Sequence, residues 1–176
     1  NYLINLKRFI HYDAFDESLN FYIKIVSYNA IIYPHSNIGG AVADDGGVQT
    51  TETTAANNDT TNDVTLLPST PATNDAYYVG FSEQFSRCYF NISTVGVGTW
   101  VITWEYYNGS AWAALSNVSD GTTGFTVTGI NSISFTVSSN WSTVTVNGIT
   151  GLYFIRGRVS SYTSITTQPK AKRIWI

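Results

Sequence analysis

From Val64 to the C-terminus, large apolar residues recur at every second position in short runs separated by turn residues. Trp100, Ile102, Trp104 and Tyr106 alternate with smaller or polar residues, which places them on one face of a strand. Asn108-Gly109 follows at once, a dipeptide that accepts the positive φ values of a tight hairpin turn, and Trp112 opens the returning segment. The same rhythm marks Tyr77 to Phe81, Cys88 to Ser93, Phe125 to Val127, Ile133 to Val137 and Leu152 to Val159. Between these runs lie Gly96, Gly98, Asp120-Gly121, Gly124 and Asn147-Gly148, and Ile174 to Ile176 reads as a closing edge. Short strands at this spacing predict an all-β fold, an antiparallel β-sandwich of jelly-roll type, over residues 64–176. No internal repeat points to a solenoid or propeller.

The chain before Val64 reads differently. Residues 1–38 hold a dense apolar set, Phe21, Ile23, Ile25, Ile31 and Ile32, together with both histidines, His11 and His35. These apolar residues need cover, either as strands of the sandwich or as an arm docked on a neighbour. Residues 39–63, rich in Gly, Thr, Asn and Asp, carry too little apolar area to offset their ordering entropy alone. They read as a long connection, mobile or ordered by partners.

Composition narrows the function. Apolar residues make up 43% of the chain and aromatics 15%, enough for a substantial core, while charged residues are only 12%. The surface must therefore consist largely of Thr, Ser, Asn, Gly and Tyr. A net charge of −3 and a pI of about 5.2 argue against a reader of nucleic-acid phosphates. The basic cluster Lys170, Lys172 and Arg173 is too small to reverse that. No apolar run reaches the roughly 20 residues of a membrane span. The single cysteine, Cys88, excludes an internal disulfide and reads as a buried apolar residue. The chain has no methionine and begins with Asn, the expectation for a processed or partial product.

Reactive chemistry is sparse. Asp44, Asp45, Asp59 and Asp63 are candidates for a Ca²⁺ site, but their spacing matches no EF-hand loop and favours solvated carboxylates. Glu105, with Glu83 or Asp120, is a candidate carboxylate pair for glycoside hydrolysis. The competing reading is a cross-strand ion pair between Glu105 and Arg156 or Arg158. His11 and His35 have no accompanying nucleophile motif. Catalytic, cofactor and metal sites are accordingly not expected. Tyr106, Tyr107 and Trp112 cluster near the hairpin turn and are the candidate interface or ligand aromatics, with core packing as the alternative.

Several segments together resemble a recurring domain of tailed-phage structural proteins. They are DDGGVQTTETTAANNDTTNDVTLLP from Asp44, NDAYYVGF from Asn74, the segment from Thr99 through Phe125, and the segment from Asn140 through Pro169. The shared pattern is Trp104, Tyr106, Asn108-Gly109 and Trp112, then Asp120-Gly121-Thr122, then Trp141 and the strand Tyr153, Ile155, Arg156, Arg158, Val159. Residues 1–38 lie outside it. The resemblance implies a β-rich virion component: a non-enzymatic capsid-decoration, spike or tail-associated protein, homo-oligomeric, packed against copies of itself and other virion proteins. The alternative is a glycan-binding module or adhesin that stacks a surface glycan on Tyr107 or Trp112.

Overall fold

A computed structural model describes residues 36–176, all within one unit, Pro34–Ile176. The expectations for Phe21 to Ile32, His11 and His35 lie outside the described residues. In chain order the elements are β1 (Gly40–Asp45), β2 (Val48–Thr51), the single-turn helix α1 (Thr53–Ala56), β3 (Val64–Thr65) and β4 (Ala76–Phe81). Then come β5 (Arg87–Thr94), β6 (Val97–Tyr107), β7 (Trp112–Ala114), β8 (Ser116–Asp120) and β9 (Gly129–Thr136). The chain ends with β10 (Val144–Val146), β11 (Ile149–Thr167) and β12 (Lys170–Trp175).

Two antiparallel sheets pack face to face. One runs β2-β1-β4-β11-β6-β7, with β10 added to β11; the other runs β3-β12-β5-β9-β8. The strands β3, β4, β5, β6, β7, β9, β11 and β12 form the frame. Within it β3 pairs with β12, β4 with β11, β5 with β9, and β6 with β7. First meets last, second meets next to last, and so inward: this is jelly-roll winding. The expected fold class holds.

Alternation explains which side chains lie between the sheets. Trp104 and Tyr106 of β6, Phe90 and Ile92 of β5, Ile133 and Phe135 of β9, and Ile155 and Val159 of β11 all enter one core. Phe90, Trp104 and Phe125 form one aromatic cluster, with ring centroids 5.8–5.9 Å apart. Phe85, Phe135 and Trp141 form another, at 5.0–5.9 Å. Trp104 also fixes the turn after β8. Its Nε1–H donates to the Asp120 carboxylate at 3.1 Å, and that carboxylate accepts the backbone N–H of Thr122 and Gly124.

Residues 39–63 are not a simple connection. They supply β1, β2 and α1, and β1 adds to the frame beside β4 in unbroken register from Gly40↔Gly80 to Asp44↔Ala76. The sandwich therefore starts well before residue 64. Low apolar content misleads here because the strand is built for close approach. A Cβ on Gly40 would lie 3.0 Å from the Phe154 ring, and one on Gly80 only 2.5 Å from it. Buried Asp75 then ties the hairpin down, accepting the Gly46 N–H at 2.8 Å.

The frame also has a covered outer face. Val42, Ala76, Tyr78, Val146 and Phe154 form a second, smaller core on the far side of β4, beneath the β10–β11 hairpin. This makes β4 buried on both faces and leaves a short polar strip between that small core and β7.

Candidate functional site

The strip follows from cross-strand register. Consecutive strand residues point to opposite faces, so Trp104 and Tyr106 turn inward while Glu105 and Tyr107 turn outward. Arg156 of β11 lies opposite Glu105 of β6 and Tyr78 of β4, and Tyr107 lies opposite Trp112 of β7. One row of the outer face therefore collects Tyr78, Arg156 and Glu105, with Trp112 close by.

Glu105 is bound from two sides. Arg156 Nε–H donates to its Oε2 at 2.7 Å and Arg158 Nη2–H to its Oε1 at 2.8 Å. Burial works against ionisation of Glu105. The hydrogen bonds and charges of Arg158 and Arg156 outweigh that, and its carboxyl is held below the usual glutamate range. Arg156 also donates to the Tyr78 hydroxyl at 3.2 Å, and Tyr78 approaches the Asp44 carboxylate at 3.5 Å. The Arg156 guanidinium lies 4.5 Å from the Trp112 ring centroid, a cation–π contact. Tyr78 and Tyr107 meet Trp112 edge-on at 5.3 and 5.8 Å.

The three candidate aromatics divide. Tyr106 is a core residue: it is buried, donates to Asn140 Oδ1 at 2.9 Å and packs on Trp141. Its place as an interface residue is withdrawn, because alternation puts it with Trp104. Tyr107 and Trp112 are half-buried on the outer face, where Arg156 occupies the space over the indole.

The carboxylate pair suggested for glycoside hydrolysis does not assemble. Asp120 is bonded to Trp104 on the inner face, opposite to Glu105, and Glu83 is exposed in the loop before β5. The cross-strand ion pair is the reading the geometry supports. The four aspartates are likewise dispersed. Asp44 closes its own hairpin by accepting the Gly47 N–H at 2.8 Å. Asp59 pairs with Arg173 at 3.0 Å, Asp63 accepts from Asn58 at 2.9 Å, and Asp45 is exposed. Among the described residues, no group of three or more His, Cys, Asp or Glu is placed to hold a metal ion. Cys88 is fully enclosed, and burial pushes its thiol pKa well up, which keeps it a protonated apolar side chain.

Sequence reasoning did not single out Tyr78, Asp75 or Glu52. Tyr78 stands in an aromatic run whose two faces are both buried, so no polar alternation marks it. Glu52 accepts the Thr65 backbone N–H at 3.0 and 3.2 Å, joining the β1–β2 hairpin to the first frame strand. It lines a depression of about 320 Å³ with Asp44, Leu66, Leu67 and Gln168. A second depression of about 320 Å³ is lined by Trp100, Val101, Ile102, Asp120, Thr123 and Gly124.

No protein-family model and no curated protein sequence matches the chain. Among the described residues no helix is long and apolar enough to cross a membrane.

Proposed function

We propose that this protein is a non-enzymatic structural component of a virion, a capsid-decoration, spike or tail-associated subunit. It acts by packing against copies of itself and against other particle proteins. One observation carries the reading. Val97, Val101, Val127 and Ile130 are 49%, 54%, 39% and 54% exposed. Val97 opens β6 and Val101 follows on it, Val127 stands in the loop before β9, and Ile130 lies near the start of β9. Gly96 bonds to Phe125, and Ile130 lies opposite Asn91 near the end of β5. Exposed β-branched residues on a low-charge sandwich suit a protein interface, since little ionic surface must be desolvated. The resemblance to tailed-phage structural proteins supports the same reading, as does the use of Glu105 for an internal ion pair.

The test is incorporation into particles. Mass spectrometry of purified virions should find the chain, and Val101→Asp with Ile130→Asp should abolish its incorporation. Exposed substitutions change stability by only about 0.5 kcal/mol, so the variant should keep the melting temperature of the parent. Absence of the parent chain from purified particles overturns the reading.

A further inference from the structure

The chain holds two Asn-Gly turns, Asn108-Gly109 and Asn147-Gly148, and they are bonded in different ways. Asn108 is half-buried, and its Oδ1 accepts the N–H of Ser110 at 3.0 Å, the hydroxyl of Ser110 at 3.0 Å and the N–H of Ala111 at 2.9 Å. A Cβ at Gly109 would meet Ser142 Oγ at 3.1 Å, so the space beside that peptide is occupied. Asn147 and Gly148 are both exposed, and nothing lies within 4 Å of the Cβ position at Gly148. The Asn147 carboxamide is held only through its Nδ2, which donates to Thr51 Oγ1 at 2.9 Å and to the Gln49 carbonyl at 3.4 Å. Its hairpin is short. β10 meets β11 at Val144↔Leu152 and Val146↔Ile149, with an irregularity between them.

We propose that Asn147-Gly148 is a deamidation site whose conversion releases the β10–β11 hairpin from the edge strand β2. The Gly148 backbone nitrogen, losing its proton, attacks the Asn147 side-chain carbonyl carbon. A new C–N bond closes a succinimide, and the Nδ2 nitrogen leaves as ammonia. Water then opens the ring at either carbonyl, giving aspartate or isoaspartate. A glycine follows Asn147, so no side chain obstructs the attack. Ring closure fixes ψ and χ1 of Asn147, so the turn, with φ of 47° at Asn147 and 77° at Gly148, must let those two angles rotate into place. A hairpin tip with so few pairs opens far more readily than the frame. The product changes the clasp. The amide donates two protons toward β2, whereas a carboxylate only accepts, so the Gln49 carbonyl loses its donor and faces a negative charge. The isoaspartate product also lengthens the turn by one backbone atom. The strand that releases covers Phe154 and Tyr78, so the small outer core loosens with it.

The experiment is ageing of the full chain at mildly alkaline pH, with peptide mapping that separates amide, aspartate and isoaspartate at both sites. Conversion at Asn147 several-fold faster than at Asn108 is expected. Conversion at Asn108 as fast as or faster than at Asn147 overturns the site assignment. The release is read separately by hydrogen exchange on Asn147→Asp. Faster exchange of the Val146 and Ile149 amides with unchanged exchange in β5 and β9 is expected. Exchange identical to the parent throughout overturns the release.

Discussion

Half-buried Glu52 and buried Glu105 show how two carboxylates of one fold come to respond to pH in opposite directions. Burial raises the pKa of Glu52, and the Thr65 N–H, the nearby Tyr77 hydroxyl and Lys170 only partly offset it. A group whose folded pKa is raised contributes stability below its unfolded pKa and loses it as pH rises through the folded value. Glu105 is the reverse case. Its folded pKa is depressed, so its contribution is present above the ordinary glutamate pKa and disappears as pH falls through the folded value. Urea melts across the acidic range should separate the two. Glu105→Gln should lower stability by about 2 kcal/mol at neutral pH, a partly exposed version of a broken buried pair. That deficit should vanish once the parent Glu105 is protonated. Glu52→Gln keeps an acceptor for Thr65 and should flatten the fall in stability that the parent shows as Glu52 ionises. Parallel curves for parent and both variants would show that neither carboxylate is coupled to folding. Part of this was legible in advance, since alternation alone puts Glu105 within reach of Arg156 and Arg158. Alternation did not say which face of β6 is the inner one, and so left Tyr106 and Tyr107 undivided.

Elements were legible where one face is polar and failed where both are buried. The Trp100 to Tyr106 alternation and the Asn108-Gly109 turn reappear as β6 and the hairpin to β7. Phe125 to Val127, by contrast, alternates like a strand but lies in the loop before β9, where Phe125 has a positive φ of 73°. Its ring fills the space between Phe90 and Trp104, so core packing determines the local backbone there. The Gly40–Asp45 strand was missed for a related reason. Phe154 and Leu152 press against its first residue, Gly40, which leaves no room for a side chain there, and small residues carry a weak hydrophobic signal. At Gly80 an added methyl would sit 2.5–2.8 Å from three Phe154 ring atoms. Gly80→Ala should therefore cost about 1–3 kcal/mol through overpacking. Phe154→Leu alone should also destabilise by leaving space. The double variant should be more stable than the sum of the two changes implies, because the smaller side chain admits the methyl. Strict additivity in denaturant melts would show that the strand shifts to make room and that glycine is not required there.

At the scale of the molecule, the jelly roll depends on pairings between residues far apart in sequence, and these are the least legible of all. β3 has two residues, Val64 and Thr65, yet it holds the first place in the frame by pairing with Lys170 and Ala171 of β12. No local pattern announces that partner, and only closure of the two sheets selects it. The same closure extends to the start of the described chain. Ser36 exchanges both backbone hydrogen bonds with Ile176 at 3.1 Å, Asn37 bridges to Trp175, and Ile38 is buried in the main core. The Asn57 side chain then holds both the N–H and the carbonyl of Ile38, at 3.0 and 2.9 Å. Residues 36–38 thus belong to the sandwich, and the expected boundary after residue 38 falls inside it. Two truncated chains test this, one starting at Ser36 and one at Gly39. The shorter loses the burial of Ile38, worth about 2 kcal/mol, and leaves Asn57 and the Ile176 backbone without partners, at about 1 kcal/mol each. Its melting temperature should lie about 10–15 °C below that of the longer chain. Comparing the two chains with each other isolates these three residues, because both lack everything before Ser36. Equal melting temperatures would mean that β12 needs no closing partner and that the sandwich begins at β1.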